Sequence, residues 1–559
     1  MPVLPCFIQS KYGPSTSPRG TVMKKHLESR RYLTHFSSRA LPHIFTDVLV
    51  VGGGVAGLRA AIAAADFGSV TLLTKQNVEE SNTAYAQGGI AVALAEGDSI
   101  ELHARDTLAA GCGLCDDATV RVVVDEGPGR VRELIDWGTR FDRADGEYMF
   151  TKEGGHSVAR IMHAHGDATG AEISRALVEA ARARESVQLL EDHFVVDLLT
   201  AEDAVHGAVV YNPVRGMMLV WASQVILATG GIGRVYRETT NPSGATGDGL
   251  AIAYRAGAAL EDLEFVQFHP TTLYIAGASR ALISETVRGE GAHLVNRAGE
   301  RFMPRYHPDA ELAPRDVVSR AIHSEMQVTK HPCVYLDVTH LDRRHLQSRF
   351  PAIYKECLSF DIDISKDLVP VRPSAHYFIG GVKVDTSGRT SLPNLLAVGE
   401  LACTGLHGAN RLGSNSLLEG LVFGARAGRS AGETLAHAER TGPPRGIECE
   451  LVGPRRAAID LGDVENSLRS LMWRAAGIER EELHLETAED YVDFWCGYVL
   501  DKTFSDVGGW TLQNMLTVAK LILHSARERR ESRGVHFRTD FPETDDVHWT
   551  RHITLRREG

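Results

Sequence analysis

The stretch from Asp47 to Thr74 constrains the fold more than any other. Asp47-Val-Leu-Val-Val51 is a short apolar run of the kind that forms a strand buried in a parallel sheet. Gly52, Gly53, Gly54, Val55, Ala56 and Gly57 follow without a break. An alanine-rich, proline-free segment from Leu58 to Phe67 then predicts a helix closed by Gly68, and Val70 to Thr74 reads as the next strand. This is a βαβ unit with G-x-G-x-x-G on its first turn. Gly52 permits the tight turn, Gly54 lets the backbone approach a pyrophosphate, and Gly57 lets helix and strand pack closely. The helix N-terminus offers free N–H groups and a positive dipole end to phosphates. These residues predict a bound dinucleotide. An acid that holds a ribose hydroxyl is expected about 20 positions on, but the second strand ends Thr74-Lys75. A cation there argues against a simple NAD site and leaves FAD and NADP open.

A chain of 559 residues is long enough for more than one domain. Its net charge of −12 gives no reason to expect nucleic acid as a partner. No apolar run approaches the roughly 20 residues that span a bilayer. Eight cysteines in a chain of this length do not form a disulfide scaffold. Cys112-Gly-Leu-Cys115 is a lone C-x-x-C with no second pair spaced to complete a zinc site.

Residues 1–46 carry seven Lys or Arg (Lys11, Arg19, Lys24, Lys25, Arg30, Arg31, Arg39) against one acid, Glu28, and are rich in serine. That composition is expected of a disordered, targeting-like extension outside the fold, or of a start placed too early, with Met23 as an internal alternative. Helices are expected over 117–138 and from Gly170 to Arg184, and strands at Phe194–Leu199 and Ala208–Tyr211. Gln224–Gly231 and Leu395–Glu400 are apolar strands ending in glycine turns, and they flank an insertion of about 268–378. Thr441–Gly446 has the composition of a linker. Helical spacing recurs over Val464–Arg480 and Leu512–Arg530, and the run Arg527-Glu-Arg-Arg-Glu531 reads as a solvated helix face.

Polar residues sit among glycines and prolines at Gln267-Phe-His269-Pro, Ser284-Glu285-Thr-Val-Arg288-Gly, Pro314-Arg315-Asp316, Ser374-Ala-His376 and His407–Ser416, which includes Arg411. Two histidines and two arginines on such loops suit a small dicarboxylate, because guanidinium forks bind carboxylates bidentately. Taken singly, an Arg-Asp pair is more often a salt bridge, and a lone histidine is more often merely hydrogen-bonded.

With these motifs, residues 47 to about 545 resemble the flavoprotein family of fumarate reductase, succinate dehydrogenase and L-aspartate oxidase, the aspartate oxidases most closely. The resemblance implies an α/β fold: a Rossmann-like FAD-binding domain (47–267 and 379–440), an inserted α+β capping domain (268–378) and a C-terminal helical domain (441–559). It implies FAD contacts at Gly52 to Gly57, at Lys75, in the loop Asn82, Thr83, Ala84, Tyr85, Ala86, Gln87, Gly88 and Gly89, and at Val195, Asp248, Glu400, Ser416 and Leu417. His269, His376 and Arg411 resemble the residues that hold substrate carboxylates. Ser284-Glu285 stands where relatives commonly have Thr-Glu, and Arg315 resembles the family's proton-transfer arginine, with Asp316 or Glu285 as a relay. Asn82 occupies the position at which membrane-complex members carry the histidine that bonds FAD covalently, so FAD is expected to be non-covalent. Glu153 matches the glutamate that aspartate oxidases turn toward the substrate ammonium. The resemblance thus implies oxidation of L-aspartate to iminosuccinate, with oxygen or fumarate as electron acceptor. That is the first step of the quinolinate route to NAD, with a hand-off to quinolinate synthase. A flavoprotein subunit of a succinate/fumarate complex is the alternative. A cytoplasmic location is expected.

Overall fold

The computed structural model describes residues 27, 30–278, 281–437, 442, 444, 446–451 and 459–557. Residues 441, 443 and 445 of the expected linker and the first 26 residues lie outside them. The chain begins its central sheet with β1 (His43–Val51), followed by α1 (Val55–Ala64), β2 (Val70–Leu73), α2 (Asp117–Asp136), α3 (Thr169–Arg182), β3 (Val187–Leu190), β4 (Phe194–Ala201), β5 (Ala204–Asn212) and β6 (Gly216–Leu227). Next come α4 (Asp248–Ala256), β7 (Val266–Leu273), α5 (Glu285–Gly289), β8 (His293–Val295), α6 (Arg315–Thr329), β9 (Val334–Asp337) and β10 (Val369–Phe378). β11 (Leu395–Ala397), α7 (Asn415–His437), α8 (Leu461–Ala475), α9 (Glu482–Val499) and α10 (Val507–Glu528) complete the elements used below.

The seven-stranded sheet runs β4-β5-β6-β1-β2-β3, with β11 also pairing β6. β6, β1, β2 and β3 are parallel neighbours, and β11 is parallel to β6. β1 and β2 are buried through their C-terminal halves, as near-continuous apolar runs in a covered parallel sheet should be. One face packs on α1, α2, α3 and α7. The other packs on α4 and the C-terminal helices. α1 starts three residues before the expected Leu58 and stops at Ala64 rather than Phe67. A separate apolar core gathers side chains from Leu273 to Val371 around a second sheet of order β7-β10-β9-β8.

Three expectations need correction. Residues 30–46 are packed into the fold. Tyr32, Leu33 and Phe36 are buried against Phe194, Trp221 and Trp510, Phe36–Ser37 pairs with Glu448–Cys449, and the Leu33 N–H donates to Asp197. The basic composition averaged over the whole extension hid this short apolar cluster. The run 527–531 is not a solvated helix face. Arg529 and Glu531 are fully buried, because Arg529 meets Glu264 at 2.6 Å and Glu531 at 2.9 Å, and Glu264 is remote in sequence. α9 was not anticipated either. Its buried positions, Leu485, Ala488, Val492, Cys496 and Val499, keep helical spacing but are diluted by acids and aromatic residues.

Candidate active site

The turn between β1 and α1 has the geometry its glycines demand. Gly52 sits at φ +116°, and a Cβ there would lie 2.1 Å from the Ala228 carbonyl oxygen. A Cβ on Gly57 would lie 1.9 Å from the Gly52 oxygen, so a side chain at either position would lift α1 off the sheet. Beside this turn is a cavity of about 260 Å³. Gly52, Gly53, Gly54, Val55, Ala56, Lys75, Asn82, Thr83, Tyr85, Ala86, Val195, Asp248, Glu400, Ser416 and Leu417 all line it, together with His376 and Arg411.

Five residues assigned to the cofactor do not line the cavity. Gly57 serves helix packing. The Ala84 N–H is spent on Ser81, and Gly89 is packed against Ile161 and Met162. Gly88 faces Ser414 and Glu153, with a Cβ 3.8 and 3.9 Å from their oxygens. Gln87 is away from the lining, although its Oε1 is buried with no hydrogen-bond partner. Thr229, Gly230, Thr240, Asn241, Leu282 and Tyr377 line the cavity but were not anticipated as contacts. The glycine turn that ends β6 was the available signal for the first two.

Lys75 Nζ meets Asp248 Oδ2 at 2.9 Å and Thr246 Oγ1 at 3.0 Å, while Asn514 donates to the other Asp248 oxygen at 2.7 Å. One part of the cavity wall therefore holds both a carboxylate acceptor and a cation. Elsewhere along the wall, Asn82 Nδ2 donates to Glu400 Oε2 at 3.0 Å and the Phe378 N–H to Glu400 Oε1 at 3.0 Å. Burial pushes the Glu400 carboxyl up to about 7. Asn82 Oδ1 and Thr229 Oγ1 are buried on the lining without partners, which is the signature of polar atoms awaiting a ligand. The glycine cradle, the start of α1 on the cavity wall and these open polar atoms fit FAD.

Next to His376 and Arg411 lies a buried charge cluster. Arg315, the first residue of α6, donates from Nε to Glu285 Oε2 at 2.5 Å and from Nη1 to Gln267 Oε1 at 3.2 Å. Gln267 Oε1 also accepts from Arg411 Nε at 3.2 Å, so one amide oxygen spans both guanidiniums. Arg411 donates to Ser416 at 2.7 Å and lies 4.3 Å from the Tyr377 ring centroid. Glu285 is held on its other side by Arg288 at 3.1 Å. Glu153 accepts from Ser414 at 2.8 Å and from Thr286 at 3.3 Å. A Cβ on Gly413 would sit 3.0 Å from Glu153 Oε2, 3.1 Å from Arg315 Nη2 and 3.5 Å from Glu285 Oε2, so the absent side chain leaves these three groups facing one another.

The electrostatics separate the two carboxylates. Burial opposes charge on Glu285, but Arg315 and Arg288 outweigh it and hold the carboxyl below its ordinary value. Burial and then the neighbouring charge of Glu285 push Glu153 up, with Arg315, Ser414 and Thr286 as weaker counterweights. The His269 and His376 rings lie 5.1 Å apart. Burial and nearby cations drive both well below 6.5, so both are neutral. Thr271 N–H donates to His269 Nδ1, which leaves Nε2–H as that ring's donor. Arg411 is lowered to about 10 by burial and then by Arg315, still a cation at neutral pH.

Two assignments change. Asp316 is not a relay for Arg315, because it is committed to Arg320 at 2.8 Å and Asn410 at 3.0 Å. Ser284 caps α5: its Oγ accepts from the Thr286 N–H and contacts Thr286 Oγ1. It therefore reaches Glu153 only through Thr286. Gln267, Arg288, Thr286 and Ser414 belong to the cluster, although only their surrounding motifs had been singled out.

The glycine turn, the cavity and the buried charge cluster define a flavoprotein. Residues 47–417 match the family described as FAD binding domain, and 506–559 match fumarate reductase flavoprotein C-term. The L-aspartate oxidase of Streptomyces coelicolor is 45% identical, over 92% of this chain and 92% of its own. The chloroplastic L-aspartate oxidase of Arabidopsis thaliana is 43% identical, over 89% of this chain and 81% of its own. Among solved structures, the FrdA chain of an E. coli quinol fumarate reductase mutant superposes with a TM-score of 0.86 at 33% identity, covering 92% of this chain and 94% of that one. The chain belongs to the L-aspartate oxidase family. Among the described residues no helix is long and apolar enough to cross a membrane.

Proposed function

We propose that the chain oxidises L-aspartate to iminosuccinate, with oxygen or fumarate as acceptor, as the entry step of the quinolinate route to NAD. Glu153 carries this reading. A second buried carboxylate beside Glu285 raises the cost of binding a plain dicarboxylate, whereas a substrate ammonium neutralises it. Arg411 and the N–H donors of His269 and His376 hold the carboxylates. FAD, held by the Gly52–Gly57 turn, would supply the acceptor for a hydride from C2. Arg315 faces the same space and takes the proton from C3; a free guanidinium is a poor base, with a pKa above about 12. Glu285, which accepts a hydrogen bond from Arg315 Nε, takes the Nε proton as the C3 proton arrives, so the guanidinium stays a monocation and the proton comes to rest on the Glu285 carboxylate. Loss of hydride and proton yields the enamine tautomer of iminosuccinate.

The domain limits that fit this reading are 47–267 with 379–440 for FAD, 268–378 for the cap and 441–559 for the helical part. Iminosuccinate hydrolyses in water, which favours a hand-off to quinolinate synthase. A subunit of a succinate/fumarate complex fits less well, because Asn82 has no ring nitrogen for a covalent flavin bond and Glu153 has no role with succinate. Aspartate-dependent peroxide formation by the purified chain tests the proposal; succinate-dependent turnover without aspartate turnover refutes it.

A further inference from the structure

Behind the two arginines, three separate parts of the chain meet in a closed ring of hydrogen bonds. After α10 the chain makes a tight turn in which Arg533 and His536 exchange backbone hydrogen bonds and Gly534 adopts φ +54°. Arg533 pairs with Glu531, Arg529 with Glu264, and Arg480 reaches both the Glu264 carbonyl oxygen and His536, so the turn is held rigid by buried charge-assisted bonds. Its tip touches both sides of the active site. The Gly534 oxygen accepts from Arg320 Nη1 at 3.1 Å, one and a half helical turns along α6 from Arg315. The Val535 N–H donates to the Ala409 oxygen at 3.0 Å, two residues before Arg411. Asp316 closes the ring, bonded to Arg320 at 2.8 Å and to Asn410 at 3.0 Å. Arg320 also lies 5.3 Å from the Phe537 ring centroid.

We propose that this ring, Gly534–Arg320–Asp316–Asn410–Ala409–Val535, is a latch by which the C-terminal turn sets the position of Arg315 relative to Arg411. Asp316 and Arg320 are positioning residues; neither touches the cavity or the charge cluster. Arg315 rides on the cap and Arg411 on the opposite side, and inside the site the hydrogen-bond partner they share among the described residues is Gln267. A hinge of the cap that separates them must break the Arg320–Gly534 and Asp316–Asn410 bonds first. The turn has no room to adapt, since a Cβ on Gly534 would lie 2.3 Å from the Ala409 oxygen.

The kinetic readout rests on the aspartate-oxidase reading, and the binding readout does not. Arg320→Met removes both hydrogen bonds and keeps an apolar stem beside Phe537. On the FAD-loaded full chain, turnover at saturating aspartate should fall roughly 10- to 100-fold, the scale of a misplacement of about 1 Å remote from the chemistry. FAD should stay bound, and Tm should match that of Arg301→Met, which removes the Arg301–Glu311 pair elsewhere on the cap. Arg320→Lys, able to keep one bond of the two, should recover part of the rate, whereas Gly534→Ala should lower turnover and, through its clash with the Ala409 oxygen, Tm as well. Succinate, titrated by its perturbation of the flavin spectrum, should bind more weakly to Arg320→Met than to Arg301→Met. Wild-type protein that binds succinate but does not oxidise aspartate would refute the proposed function, and the latch would then stand or fall on the succinate titration. Equal turnover and equal succinate affinity in Arg320→Met and Arg301→Met would overturn the latch, as would activity lost only in step with FAD.

Discussion

Glu153→Gln isolates the charge that assigns the substrate. The change is nearly isosteric, and a glutamine can still engage the hydroxyls of Ser414 and Thr286, 2.8 and 3.3 Å from the present oxygens. What it deletes is a carboxyl that burial and Glu285 hold toward its neutral form in the empty site and that pairs as a carboxylate with an ammonium in the filled one. Removing one partner of a desolvated ion pair costs about 2–4 kcal/mol, so kcat/KM for aspartate should fall roughly 30- to 1000-fold. The same change relieves the repulsion felt by a plain dicarboxylate, so fumarate reduction by the pre-reduced enzyme should hold or rise. The assay pairs aspartate-dependent peroxide formation with fumarate-dependent reoxidation of one preparation. If the ratio of the two activities equals that of the wild type, Glu153 is only a loop residue and the reasoning fails.

Arg315→Leu should abolish turnover while FAD and succinate still bind, whereas Arg411→Leu should chiefly weaken dicarboxylate binding, by about 2–3 kcal/mol for a lost charged hydrogen-bonded pair; a spectral titration beside steady-state kinetics separates them. Acid precipitation should release all the flavin, because Asn82 offers no ring nitrogen, and yellow pellets would contradict this. The folded Glu400 carboxyl titrates at about 7, above its ordinary value of 4.5, so its stabilising contribution is complete below about pH 4.5 and is lost as pH rises through about 7. Thermal melts of the FAD-free protein from pH 4 to 8 should therefore show a shallower decline for Glu400→Gln than for wild type. Phe36→Ala should destabilise the protein by about 3 kcal/mol, the scale for deleting a buried aromatic ring; an unchanged denaturation midpoint would return residues 30–46 to the status of a loose extension.

The parts legible in the sequence were those whose physical demand is local. The turn from Gly52 to Gly57 announces itself because backbone conformation and close packing there exclude side chains. Arg315, Arg411, His269 and His376 stood out because polar residues between glycines are poor core formers. Partnerships across the chain were not legible. Asp316 looked like a relay because it adjoins Arg315, but helix geometry turns it toward Arg320, four residues on, and Asn410. Arg529 looked solvated because its carboxylate partner, Glu264, lies 265 residues away. Gln267 was seen only as part of a motif, since its role depends on where two distant arginines meet.

The central claim is most directly tested by anaerobic reduction of the FAD-loaded chain. L-aspartate should bleach the flavin to its two-electron-reduced form and yield a product that hydrolyses to oxaloacetate and ammonia, while succinate at the same concentration should bind with little or no bleaching. Reduction by succinate with none by L-aspartate would contradict the account and place the chain among the succinate- and fumarate-converting flavoproteins.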